Sequence, residues 1–190
     1  MKRDESEPLI EYLQGLKQRK DLGALAALRR SLAFEPGEDL KVYRYVERFV
    51  GASLGSRRRA AYAAAGLFAL HPEGSERSFS AAFGELVRRR VQRGNESDKN
   101  LTSAERRFLA LLEADAAGVM PHLRQAVNLL ATDALGYDHA GLFTDLCGLL
   151  DDHANPDWRD EIKRRWAMHF YRALQAEPVE EAEAGDHVDQ

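Results

Sequence analysis

Apolar residues in this chain recur every three or four positions from Leu9 to Phe170, and no stretch alternates apolar and polar residues with a period of two. A period near 3.6 lines one face of an α-helix, whereas a half-buried strand needs a period of 2. The strongest hairpin signals, Asn-Gly and Asp-Gly, are missing as well. The spacing predicts an all-α fold of about nine helices.

The stripes and their boundaries place those helices. The first starts near Pro8 with Leu9, Tyr12, Leu13 and Leu16 on one face. Asp21 caps the second, striped by Leu22, Leu25, Leu28 and Leu32, and Glu35-Pro36-Gly37 breaks it. A third holds Val42, Tyr45, Val46, Phe49 and Val50; Ser56 caps a fourth, running to Leu70 before His71-Pro72; a fifth covers about Phe79 to Arg93. The run Gly94-Asn95-Glu96-Ser97-Asp98-Lys99-Asn100 combines turn formers with no apolar residue. Thr102-Ser103-Ala104-Glu105 then reads as a capping box opening the sixth helix, with Phe108, Leu109, Leu111 and Leu112. The seventh carries Leu123, Val127, Leu129 and Leu130; the eighth starts at Asp138. Asn155-Pro156, a cap followed by proline at the first helical position, opens the ninth, with Trp158, Ile162, Trp166 and Phe170 four apart. The expected organisation is two packed helical-bundle lobes, 8–94 and 101–176, each too small to bury enough apolar surface without the other. An acidic tail, 177–190, is expected to be disordered.

Several function classes fall away. No apolar run approaches the roughly 20 residues that span a bilayer, and the N-terminus lacks the apolar stretch of a secretion signal, so a cytoplasmic location without membrane contact is expected. One cysteine, Cys147, rules out an intrachain disulfide and a Cys-based zinc knuckle. The histidines form no His-x-x-x-His or Glu-x-x-His pair, and no phosphate-cradling glycine loop or Gly-x-Ser-x-Gly is present. Asp151-Asp152-His153 near Asp157 could hold a metal, or could be a helix end opening into a polar loop; Glu113 and Asp115 could be paired carboxylates, or solvent-facing residues at a helix end. The expectation is a protein that is not an enzyme and uses no cofactor or metal.

The net charge of −4 hides a polarity: residues 177–190 carry six acids and no Lys or Arg, so setting them aside leaves +2 for residues 1–176. The bases are 21 arginines and 6 lysines. Arginine's planar fork takes phosphate in a bidentate way and stacks on bases, although codon preference alone can raise its share. They cluster as Arg29-Arg30, Arg57-Arg58-Arg59, Arg88-Arg89-Arg90 with Arg93, Arg106-Arg107 and Lys163-Arg164-Arg165, with Arg124 alone. Three consecutive helical residues fan across about 200°, so not all members of a triplet face one ligand. Arg57 and Arg106 sit in first turns, against the helix dipole, a placement that phosphate would relieve. Arg88 to Arg93 sit at a helix end that favours cations anyway. A solvated helix face accounts for any one cluster; recurrence across both lobes points to a basic strip for nucleic acid. The residues expected to bind are Arg29, Arg30, Arg57, Arg58, Arg59, Arg106, Arg107, Arg124, Lys163 and Arg164. A helical protein–protein adaptor, its arginines paired to acidic partner surfaces, is the alternative.

Leu28-Arg29-Arg30, Tyr43-Arg44-Tyr45-Val46, Arg57-Arg58-Arg59 leading into Ala61 to Pro72, and Phe83-Gly84 occur in order with Glu105-Arg106-Arg107-Phe108, Leu111 to Asp115, His122-Leu123-Arg124-Gln125 and Arg164-Arg165-Trp166. Together, over about residues 9–174, they resemble the CasB small subunit of the type I-E CRISPR Cascade complex. The resemblance implies a non-catalytic, two-lobed helical subunit of the antiviral surveillance complex, present as two copies. It implies contacts with the other Cascade subunits, the guide RNA and the target DNA, including the displaced strand of the R-loop. The family's basic positions carry over to Arg29, Arg30, Arg58, Arg107, Arg124 and Arg164. The Arg88 to Arg93 cluster and the acidic tail have no match in the resemblance.

Overall fold

The computed structural model describes residues 7–50, 55–94, 102–153 and 155–176. Among them are nine α-helices: α1 (Glu7–Gln18), α2 (Leu22–Ser31), α3 (Tyr43–Val50), α4 (Ser56–Leu70), α5 (Phe79–Gln92), α6 (Ser103–Glu113), α7 (Val119–Thr132), α8 (His139–Leu149) and α9 (Pro156–Leu174). No strand occurs among the described residues; one isolated bridge joins Gly74 to Tyr137. The acidic tail, 177–190, lies outside the described residues, as does most of the polar break after Gly94.

Local chemistry sets the helix starts. Side chains at Asp21, Ser78, Thr102, Asp138 and Asn155 each accept a backbone N–H from the first turn that follows, satisfying donors that have no partner within the helix. Ser56 does not cap α4: Gly55 precedes the helix at φ +84° with no side-chain cap, and the Ser56 hydroxyl donates to Asp151 Oδ2 at 3.3 Å instead. α2 stops at Ser31, before the Pro36-Gly37 break, and a 3-10 turn at Leu40–Val42 precedes α3.

α4 is the central element. Its residues from Ala60 to Ala69 are all buried, and α1, α2, α3, α7 and α8 pack around it. A run of alanines permits this because small side chains let helix backbones approach on every side. Gly66 allows the closest approach: a Cβ there would lie 2.6 Å from a methyl of Leu32 and 3.3 Å from the Leu28 carbonyl. α5 packs along α9, with Gly84 against Phe170, whose carbonyl oxygen would collide with any Cβ at that position. Phe170 stacks on Phe108 with centroids 4.1 Å apart, and Phe83 joins at 5.7 Å from Phe108. The buried side chains form one contiguous cluster from Leu9 to Phe170, so the two sets of helices share a core.

Two residues depart from the stripes read in the sequence. Leu22 is 73% exposed and Trp158 40% exposed. Each occupies the first turn of its helix; Trp158 still lays one edge of its ring against Gly148 of α8.

One buried site couples the fold to pH. Tyr137, His71 and His139 cluster where α4 ends and α8 begins, with the Tyr137 and His139 rings 4.4 Å apart. Among the described residues His139 Nε2 makes no well-formed hydrogen bond. Burial, followed by the proximity of His71, pushes the His139 pKa from 6.5 down to about 4. Between those values the unfolded chain binds a proton that the native chain does not, so stability falls as pH drops from 6.5 toward 4. At the lower end the loss amounts to about 3 kcal/mol. Urea unfolding of the native chain and of His139→Gln at pH 7 and pH 4.5 should show a steeper acid loss in the native chain. Parallel losses in the two proteins would refute the coupling.

Candidate nucleic-acid interface

The first group of arginines forms at the end of α2. Gly66 brings the last turn of α2 onto α4, and there Arg29 Nε donates to the Ala69 carbonyl at 3.0 Å. Across the same junction Arg124 Nη1 of α7 donates to the Leu32 carbonyl at 3.0 Å. A neutral carbonyl orients a guanidinium without cancelling its charge, and each fork keeps N–H groups for phosphate. Arg30 lies beside them, exposed, its guanidinium free of hydrogen bonds and ion pairs among the described residues. Residues 31–39, Tyr62, Met120 and Arg124 frame a cleft of about 400 Å³ next to this group.

The triplet at the start of α4 splits three ways, as the helical fan requires. Arg57 lies over the Phe143 ring at 6.0 Å. Arg58 is held between the Tyr43 and Tyr62 rings at 5.0 and 4.9 Å and donates twice to Glu47, each bond 3.3 Å. Glu47 also accepts from the Tyr62 hydroxyl, and that bond, offset in part by burial and reinforced by Arg58, holds its carboxyl below the usual range. Arg59 bridges Asp152 at 2.7 Å and the Leu150 carbonyl at 2.5 Å. Arg58 and Arg59 are thus engaged by acids of the chain itself.

A second group lies on α6 and α9. Arg106 and Arg107, in the first half of α6, are exposed and their guanidinium groups make no hydrogen bond or ion pair among the described residues. Lys163 Nζ donates to the Ala114 carbonyl at 2.9 Å, again keeping its charge. Arg164 is 71% exposed, with Glu161 at 3.8 Å, a separation at which the pair contributes little. Arg172, in the last turn of α9, is exposed and without such partners among the described residues. The sequence reading did not single it out, because it belongs neither to a cluster nor to the segments that carry the family resemblance.

The Arg88 to Arg93 cluster is largely internal. Arg88 and Arg89 both bond Glu85, at 2.5 and 2.6 Å. Burial raises the Glu85 pKa, but bonds from the two arginines outweigh it and leave the carboxyl below the ordinary range. Arg90 holds Asp133, at the end of α7, through two 2.9 Å bonds, with side chains only 17% and 12% exposed. Removing one partner of such a pair strands a charge in a poorly solvated site. Arg90→Ala should lose about 3 kcal/mol, whereas Arg90→Leu with Asp133→Leu should recover most of it. A double variant no more stable in urea than Arg90→Ala would contradict this. On α9, Arg165 and the Trp166 indole both donate to Asp145.

Three of the acids weighed for metal binding or catalysis make structural contacts. Asp151 accepts from Ser56, Asp152 pairs with Arg59, and the Asp151 carbonyl takes Arg159. Asp115 caps the turn before α7, accepting from the Gly118 N–H at 2.7 Å. Cys147 is buried in the core. Among the described residues no group of three or more His, Cys, Asp or Glu is placed to hold a metal ion, and no helix is long and apolar enough to cross a membrane.

Known proteins share this architecture. The family model for CRISPR-associated protein Cse2 matches residues 24–171. A CRISPR-associated protein Cse2 from Thermus thermophilus is 34% identical over 180 residues, covering 93% of this chain and 96% of its own. The crystal structure of CasB from Thermus thermophilus superposes with a TM-score of 0.69 at 34% identity, covering 88% of this chain and 97% of that one. A chain of a CRISPR RNA-guided surveillance complex has the same fold, with a TM-score of 0.71 at 23% identity over 90% of this chain and 94% of its own. The match runs from Ala24 through Tyr171, and with an identity above 30% over nearly the whole length it establishes that this chain belongs to the Cse2, or CasB, family.

Proposed function

We propose that this chain is a non-catalytic small subunit of a type I-E CRISPR Cascade surveillance complex, working in the cytoplasm in antiviral defence. It assembles with the other Cascade subunits and a second copy of itself. Through its arginines it holds guide RNA and target DNA, including the displaced strand of the R-loop. Family membership and the likeness to a chain of a surveillance complex support the assembly.

One observation carries the nucleic-acid part. Arg30, Arg106 and Arg107 have no acidic partner among the described residues, while Arg29, Arg124 and Lys163 are oriented by neutral carbonyls. These cations remain charged, positioned and open to phosphate. Exchanging a DNA duplex for an RNA–DNA hybrid is nearly balanced in energy, so protein contacts to the backbone tip it. Holding the displaced strand removes the competitor for reannealing. Guanidinium suits this task because phosphate carries no sequence information and unstacked bases pack on its plane.

Titrating the purified chain with labelled single-stranded and duplex nucleic acid at several salt concentrations tests the proposal. The expected result is sequence-independent binding whose affinity falls steeply with salt. Indifference to nucleic acid at low salt would favour an adaptor that only bridges protein subunits.

A further inference from the structure

The helix packing delivers the C-terminal acids to one particular surface. Phe79 of α5 meets Trp166 of α9 at 5.1 Å, and four residues on Phe83 meets Phe170 at 6.3 Å. The two helices therefore run parallel and in step, so the last turn of α5 lies toward Gln175 and Ala176. α6 lies against α9 in the opposite direction: Lys163 reaches the carbonyl just past the end of α6, whereas Phe170 stacks on Phe108 in its first half. The end of α9 thus emerges between the last turn of α5 and the first turns of α6.

This end of the molecule is basic. Glu85 and Asp133 offset two of the three charges on Arg88, Arg89 and Arg90. Arg93, Arg106, Arg107 and Arg172 are all exposed, and the helix register sets them about the α9 exit. Fourteen residues follow Ala176, and they carry six acids and no Lys or Arg. Extended, they reach about 45 Å, ample to fold back over α5 and α6. Tethering converts a weak charge-to-charge contact into one at millimolar effective concentration.

We propose that residues 177–190 dock on the arginine surface formed by Arg93, Arg106, Arg107 and Arg172, and compete there with nucleic acid. The acids stand in for phosphates, so the chain carries its own polyanion against non-specific binding, and a strand held by the whole interface displaces it. The docking rests on charge and helix register alone; the competition also rests on the nucleic-acid reading above.

The test compares three proteins: the full chain, residues 1–176, and a full chain with Glu177, Glu180, Glu181 and Glu183 changed to Gln and Asp186 and Asp189 changed to Asn. Amide NMR spectra at low salt should differ at Arg93, Arg106 and Arg107 between the full chain and each of the other two, and the differences should vanish at about 0.5 M salt, where screening is short-ranged. Spectra that superimpose at those residues at low salt overturn the docking. Single-stranded DNA should bind both altered proteins about tenfold more tightly than the full chain at low salt. NMR differences with equal affinities overturn the competition. If the shifts appear but none of the three proteins binds nucleic acid, the docking stands and the nucleic-acid reading falls.

Discussion

Replacing Phe170 by alanine is expected to destabilise the chain by about 3–5 kcal/mol, a large share of the roughly 5–15 kcal/mol that holds a domain of this kind together. Phe170 is fully buried. Its ring stacks on Phe108 at 4.1 Å, meets Tyr171 edge-on at 5.0 Å and lies 6.3 Å from Phe83. Its backbone carbonyl occupies the space that Gly84 leaves open. The residue therefore joins α5, α6 and α9, and truncation opens a cavity that three rigid helices cannot close. Leu22→Ala provides the contrast. It also belongs to an apolar stripe, but it is 73% exposed, and its loss should stay within about 0.5 kcal/mol. Urea midpoints for the two variants decide the matter. A small loss at Phe170, or a comparable loss at Leu22, would show that burial does not govern stability here.

Changing Arg30, Arg106, Arg107 and Arg124 together to alanine is expected to remove most of the nucleic-acid binding and about 3 units of the salt slope, at roughly 0.7 per phosphate for a single strand. The weakening should be the same for every sequence, because these contacts read charge rather than base edges. Arg58→Ala should behave differently. Its guanidinium already serves Glu47 and packs between Tyr43 and Tyr62, so its loss should lower the unfolding midpoint more than it changes the salt slope. An unchanged slope in the fourfold variant would place the binding surface elsewhere. A loss confined to one sequence would point to base readout.

The arginine clusters could all be found in the sequence, but their roles could not. Consecutive arginines at 57, 58 and 59 diverge to an aromatic ring, a carboxylate-and-tyrosine box and an aspartate on another segment. Arg88 to Arg90 look as available as Arg106-Arg107, yet they are consumed by Glu85 and Asp133. Arg172 lies outside both the clusters and the segments that carry the resemblance, and only the packing shows it exposed.

Helix type, number and most starting points were settled by interactions that reach only one turn along the chain. Asp21, Thr102, Asp138 and Asn155 cap the helices that follow them within three residues, and the apolar stripes report the same short period. The fate of each cation was settled by partners far off in sequence: 43 residues for Arg90 and Asp133, 92 for Arg124 and Leu32, and 93 for Arg59 and Asp152. Local pattern fixes which residues share a helix face. Only the packing of α4, α5 and α9 against their neighbours decides whether an arginine on that face meets a carboxylate that neutralises it, a carbonyl that merely aims it, or water that leaves it open to phosphate.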